Sequence, residues 1–269
     1  MGLAQEIAEL LSELRRQKPL LHHITNFVVM NDTANVTLQI GALPVMAHAK
    51  EEVEEMVGLA GALVLNPGTL TPDWIEAMLL AGRRANELGV PVILDPVGAG
   101  ATTLRTESNQ RLLDELDITI LRGNLGEVSV LAGLGGEVKG VESISAGAEA
   151  KQVAQTMARE RGLTVAITGK RDIISDGQRT VGVDNGHEWL TTITGSGCSA
   201  TTMVAAFAAV EPDPVLAATA GLACYGLAGE LAAEIANGPA SFKVALFDAL
   251  YNLDPKQVRS EAKAQWLER

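Results

Sequence analysis

The sequence predicts an α/β fold with a mostly parallel central sheet and helices on both faces, arranged in three α/β/α layers. Two observations carry that expectation. Short apolar, β-branched runs alternate with longer helical stretches as far as Gly169, and Gly, Pro and polar residues gather just after the apolar runs. Runs of this kind are strands covered on both faces, which parallel sheets require. Ligands of open α/β sheets bind beyond the carboxyl ends of the strands, where these polar residues fall.

The elements follow in order. MGLAQEIAELLSELRRQK is amphipathic at helical spacing and carries three Glu, so it reads as a helix and not as a signal peptide. LLHHIT (20–25) is the first strand, followed by a helix over Asn31 to Gln39, a strand at ALPVM (42–46) and a helix over Glu51 to Leu59. ALVLN (62–66), VPVILD (90–95), ITILRG (118–123) and LTVAITG (163–169) continue the strands. Helices over Pro72 to Leu88, Glu107 to Leu116, Leu125 to Leu131 and Ala148 to Arg161 lie between them. DIISDGQRTVGVDNG then alternates with period two around Asp176-Gly177, which signals a hairpin. From Gly197 the chain is Ala-rich and reads as helical to its end. Neither a linker nor a repeat interrupts it, so one domain over 1–269 is expected.

Composition narrows the partners. The 269 residues are 47% hydrophobic and carry a net charge of -12, which gives no basic footprint for nucleic acid or an anionic membrane. Any phosphate site must then be local, built from backbone N–H groups, a metal or a few cations. Cys198 and Cys224 are the only cysteines and form no CxxC, which argues against a disulfide scaffold or structural zinc and fits a reducing cytoplasm. The most apolar stretch, Pro214 to Gly229, reads as too short and too interrupted to span a bilayer.

Three segments carry chemistry. In TGSGCSATTMVAAFAAV (194–210), Gly195 and Gly197 allow close backbone approach, Ser196 reads as an N-cap, and a buried helix follows. Backbone N–H groups from Gly195 to Cys198 would converge there, where the helix dipole favours an anion. An ordinary tight start to a helix would need the same glycines. In DPVGAGAT (95–102), Asp95 ends a buried strand, and a carboxylate there is costly unless paired or beside a metal. It reads as a Mg²⁺ contact or as a turn cap. In RGNLGEV (122–128), Asn124 reads as an N-cap with Glu127 three residues on, a partial capping box. The functional alternative gives Glu127 to the metal shell and Arg122 to phosphates; two carboxylates are the right number for Mg²⁺. His22 and His23 face opposite sides of their strand and are expected to bond within the core. Thr168 is either a strand-end cap or a nucleotide contact. Asn26, Met46 and Cys198 could line a small apolar pocket, together with Gly68 of the NPGT loop.

These segments resemble the hydroxyethylthiazole kinase family, within the ribokinase-like fold. The resemblance rests on HHITNFVVMNDTANVTLQIGALPVMA (22–47), LNPGTL (65–70), DPVGAGAT, RGNLGEV, TGKRDIISDG (168–177) and TGSGCSATT (194–202), in this order over nearly the whole chain. It implies ATP- and Mg²⁺-dependent phosphorylation of 4-methyl-5-(2-hydroxyethyl)thiazole in thiamine salvage. By the same match, Met46 and Gly195 fall at substrate positions, Arg122 and Thr168 at ATP positions, and Asp95 and Glu127 at the metal; Asn124 is a further candidate for ATP. A homotrimer with the thiazole pocket between subunits is likewise implied. Most ribokinase-like enzymes carry an aspartate base where this chain has Cys198, and Gly126 stands where Ser or Ala is common. A thiol at a helix N-terminus is expected to have a lowered pKa, so Cys198 either accepts the alcohol proton or is merely small and polarizable against the thiazole ring. The nearest rival is a kinase acting on hydroxymethylpyrimidine or pyridoxal.

Overall fold

A computed structural model describes residues 2–134 and 143–269. Nine strands form one sheet in the order β2-β1-β3-β4-β5-β6-β7-β8-β9. They are β1 (Leu20–Ile24), β2 (Leu43–Val45), β3 (Ala62–Leu65), β4 (Val92–Leu94), β5 (Ile120–Asn124), β6 (Thr164–Thr168), β7 (Asp172–Ser175), β8 (Thr180–Val183) and β9 (Ala264–Glu268). The first six are mutually parallel and the last three antiparallel. All carboxyl ends of β1 to β6 therefore open on one edge.

The strand side chains alternate between two cores, as period-two geometry requires. Ala62, Val64, Ile93, Ile120 and Ala166 point to one face. There they meet α1 (Leu3–Gln17), α2 (Met30–Ile40), α8 (Ser196–Ala208), α9 (Pro214–Ile235), α10 (Pro239–Asn252) and α11 (Pro255–Glu261). Leu63, Leu65, Val92, Leu94 and Leu121 point to the other face. That face is covered by α3 (Val53–Val57), α4 (Pro72–Leu88), α5 (Thr103–Glu115), α6 (Leu125–Leu131) and α7 (Ser143–Arg161). The expected three layers are present.

Local chemistry fixes the ends. Thr71 Oγ1 accepts from Trp74 N to cap α4, Pro72 fills its first turn, and Gly89 ends it at φ 70°. The Asp176-Gly177 hairpin forms, with Asp176 Oδ1 accepting from the Gln178 and Arg179 amides and Gly177 at φ 89°. α5 begins at Thr103, capped by Thr102, four residues before the helix expected from the sequence. The Gly- and Thr-rich stretch there had masked a cap.

Two expectations are corrected. The chain is not helical to its end, because Ala264–Glu268 pairs antiparallel with β8 and buries parts of Trp266 and Leu267 against the two cores. Ala, Gln, Leu and Glu favour helix locally, but an open sheet edge offers both backbone bonds and side-chain burial. The apolar stretch beginning at Pro214 is also longer than it reads. It forms one 22-residue helix, long and apolar enough for a span, with 83% of the apolar window buried within the protein as a core helix.

The histidines bond within the core as expected. His22 Nε2 lies 2.7 Å from Ala47 O, and His23 Nε2 lies 3.2 Å from Thr37 Oγ1. Burial lowers both pKa values, that of His23 to about 3, so His23 stays neutral while the unfolded chain protonates near 6.5. The unfolded state then binds more protons below pH 6.5, and stability falls with acidification through that window. The urea midpoint is expected to drop between pH 7 and pH 5, with a shallower drop in His23→Gln.

Candidate active site

The carboxyl edge of the sheet gathers the polar residues that the sequence placed after the strands. Asn66, just beyond β3, is their hub and is 1% exposed. Its Nδ2 donates to Asp95 Oδ2 at 3.0 Å and to Cys198 Sγ at 3.2 Å. Its Oδ1 accepts from Asn26 Nδ2 at 2.9 Å and from Gly68 N at 3.1 Å. Asn26 Nδ2 also reaches Cys198 Sγ at 3.6 Å, while its Oδ1 accepts from the Val28 and Val29 amides. Gly68 must be glycine, since a Cβ would stand 2.8 Å from Asn26 Nδ2. Asn26, Gly68 and Cys198 thus form one bonded group. Met46 follows edge strand β2 at the same edge, half-buried and two strands from β3.

The carboxylate side is equally connected. Asp95 is buried, and its Oδ2 also accepts from Thr201 Oγ1 at 2.9 Å. Arg122 Nη1 lies 3.7 Å from Asp95 Oδ1, and Arg122 Nη2 donates to Thr168 Oγ1. Asn124 and Glu127 close a full capping box on α6: Asn124 Oδ1 accepts from Glu127 N at 2.9 Å, and Glu127 Oε2 accepts from Asn124 N at 3.1 Å. The cap takes the Asn124 side-chain oxygen, so a nucleotide contact would fall to its Nδ2. Glu127 Oε1 accepts from Gly98 N, which ties the loop after β4 to α6.

Burial raises the Asp95 carboxyl to about 6, with the Glu127 charge adding to it and Arg122 opposing. Asp95 and Glu127 are the two carboxylates at this edge that could hold a cation. Cys198 departs from expectation. Burial, and then the Asp95 charge, push its thiol up to about 12, against the lowering by Asn66, Arg122 and Asn26. At neutral pH it is a thiol.

Helix α8 meets this edge end-on. Its N-cap is Gly195 at φ 84°, not Ser196, which is the first helical residue. The left-handed backbone explains the glycine: a Cβ would be strained and would lie 2.7 Å from Val29 Cγ1. At Gly197 a Cβ would lie 2.9 Å from Arg122 Nη1. The start of the helix, with amide donors lacking helical partners, thus lies directly beside the buried guanidinium.

Three residues gain a role only in the folded structure. Asn66 and Thr201 look like loop and helix residues until the fold closes on Asp95. Arg105 of α5 donates to Gly68 O at 2.9 Å and to Pro67 O and Val97 O at 3.4 Å, bridging the loops after β3 and β4. Gly98, at φ 79°, leaves room for its stem. A groove of about 630 Å³ at the opposite, amino-terminal edge includes Asn86, Asp117 and Glu211 in its lining but no Lys or Arg among the described residues.

A sequence profile described as "Hydroxyethylthiazole kinase family" matches residues 11–256. The chain belongs to the hydroxyethylthiazole kinase family. It is 63% identical over 263 residues to a hydroxyethylthiazole kinase of Chloroflexus aggregans, covering 98% of this chain and 95% of that protein. A solved structure of hydroxyethylthiazole kinase protein from Pyrococcus horikoshii OT3 superposes with TM-score 0.91 at 46% identity, over 98% of this chain and 99% of that one. A ribokinase-like superfamily protein from Enterococcus faecalis V583, 12% identical with TM-score 0.66 over 90% of this chain and 93% of that one, shares the fold.

Proposed function

We propose that the chain transfers the γ-phosphoryl group of ATP to the hydroxyl of 4-methyl-5-(2-hydroxyethyl)thiazole, giving the thiazole phosphate used in thiamine salvage. Full-length identity to named hydroxyethylthiazole kinases carries the substrate assignment. The observation that carries the chemistry is the junction of α8 with Arg122: a glycine-lined helix start and a buried cation meet over Asp95. Phosphoryl transfer needs mostly positioning and charge stabilisation, which amide donors and a fixed guanidinium supply.

The amides from Gly195 to Cys198 would receive the γ-phosphate, and Arg122, held by Thr168, would balance its charge. Asn124 would contact the nucleotide. Asp95 and Glu127 would hold Mg²⁺, the one or two protein carboxylates that this ion usually takes. When bound, the ion would neutralise phosphate charge. Asn26, Gly68 and Cys198 would face the alcohol, with Met46 against the thiazole. A loose transition state keeps the alcohol proton until late, so no strong base is needed next to it.

That reading gives Cys198 a packing role. Cys198→Ala is expected to lower kcat by less than about tenfold, against the roughly 10²–10⁴-fold expected of a lost base. Iodoacetamide at pH 8 should modify Cys198 at least about tenfold more slowly than a small-molecule thiol, because the thiolate is the nucleophile. A steep kcat loss together with fast alkylation would reinstate the base.

The continuous sheet supports reading 1–269 as one domain. Exposed Phe27 and Val28 beside Asn26, with exposed Leu43 on β2, support a subunit boundary near the pocket, and the family resemblance makes the assembly a homotrimer. The charge and free cysteines favour a cytoplasmic enzyme acting on small molecules, not nucleic acid or membranes. The direct test supplies ATP and the thiazole alcohol with Mg²⁺ or with EDTA. ADP and thiazole phosphate should form one-to-one with Mg²⁺ and stop with EDTA. ADP release without phosphorylated thiazole would overturn the reading.

A further inference from the structure

The glycine-containing start of α8, the loop from its N-cap Gly195 through its first turn to Cys198, has two flanks. On the Gly197 side stands Arg122. On the Gly195 side stands a carboxylate: Asp32 Oδ2, from α2, lies 3.9 Å from where a Cβ on Gly195 would be. Left bare, that charge would oppose any anion on the loop. It is not bare. Lys243, from α10, donates its ammonium to Asp32 Oδ2 over 2.7 Å, with 37% of the lysine side chain and 17% of the aspartate exposed.

We propose that Asp32 and Lys243 act as a charge-compensating pair that sets the affinity of the loop for the terminal phosphates of the nucleotide. Lys243 is a positioning residue, acting on the ligand through Asp32. The inference rests on the reading that this loop holds phosphate. The pair's effect on an anion is a difference of two opposed charges, so each single substitution unmasks the other. Removing the cation leaves a carboxylate that repels polyphosphate; removing the carboxylate leaves a cation that attracts it. At an effective dielectric of about 20–40, one uncompensated charge roughly 8 Å away changes affinity about five- to thirtyfold.

The test measures the dissociation constant of a non-hydrolysable ATP analogue with Mg²⁺ by calorimetry, beside KM for ATP and kcat. For Lys243→Met both constants should rise about five- to thirtyfold, with kcat at saturating ATP changed by less than about twofold. The rise should shrink in about 0.5 M salt, since the pair is partly exposed. Asp32→Asn should lower both constants, because the uncompensated Lys243 ammonium then attracts the phosphates. The double variant and Lys243→Arg should lie within about twofold of the parent. A plain tether between α2 and α10 gives another pattern: both single variants weaken binding, the double is no better, and the proposal falls. Gly197→Ala separates this from the underlying reading. If it abolishes analogue binding while Lys243→Met has no effect, the pair is refuted and the loop stands. If Gly197→Ala binds normally, the loop assignment fails. Thermal melts of each variant identify any that do not fold; Lys243→Arg and Asp32→Asn then decide, with parent-like constants in the first and lowered constants in the second upholding the pair, and unchanged or raised constants in Asp32→Asn refuting it.

Discussion

Asp95→Asn is expected to lower kcat by about 10²–10³-fold while the protein keeps its fold and binds the thiazole alcohol. The size follows from what converges on this side chain. Its Oδ2 accepts from Asn66 and Thr201, and its Oδ1 faces Arg122 at 3.7 Å. An amide has nearly the same shape, so the acceptor bonds can survive and the core around β4 is not opened. What is lost is the negative charge. Together with Glu127 it would attract Mg²⁺, and it also offsets the guanidinium buried beside Gly197. The folded-state pKa of about 6 lies above the ordinary carboxyl value of 3.8, so ionised Asp95 costs the empty protein stability, fully so above about pH 6. Asp95→Asn should therefore melt at or above the parent temperature at pH 8, and the difference should vanish below about pH 4. Thermal melts and Mg²⁺ titrations of rate check both halves. Unchanged Mg²⁺ dependence in the variant would remove Asp95 from the metal assignment.

Gly197→Ala should reduce kcat/KM for ATP by at least about 10²-fold, with a smaller effect on KM for the alcohol. Backbone strain is not the reason, because Gly197 does not have the positive φ found at Gly195. The cause is contact: the added methyl would lie 2.9 Å from Arg122 Nη1 and 3.4 Å from Nη2. Arg122 cannot yield easily, being 7% exposed and held by Thr168. Either the guanidinium shifts off Asp95 or the first turn of α8 moves, and both separate the cation from the amide donors. Steady-state kinetics against each substrate distinguishes this from general destabilisation, which would lower the amount of active enzyme without splitting the two KM values.

Much of this was legible in the sequence because it is local. A β-branched run between turn residues makes a parallel strand, and Asp176-Gly177 makes a hairpin. Asn124 and Glu127 are three residues apart and close a capping box that the spacing alone announces. The remainder depends on residues that meet only when the sheet closes. Asn66 bonds to Asn26, Asp95 and Cys198, which lie 40, 29 and 132 positions away. Lys243 meets Asp32 across 211 positions. The Cys198 pKa was misread for the same reason: the helix terminus is visible in the sequence, whereas the burial and the Asp95 charge that outweigh it are tertiary. At the C-terminus, helix-favouring residues form a strand because β8 offers an unpaired edge.

The most direct measurement offers the enzyme equal amounts of hydroxyethylthiazole, hydroxymethylpyrimidine and pyridoxal with limiting ATP and Mg²⁺, and identifies the phosphorylated products by mass spectrometry. The thiazole phosphate should account for nearly all the ATP consumed. Dominant phosphorylation of the pyrimidine or of pyridoxal would contradict the substrate assignment, even with the loop, Arg122 and Asp95 working as described.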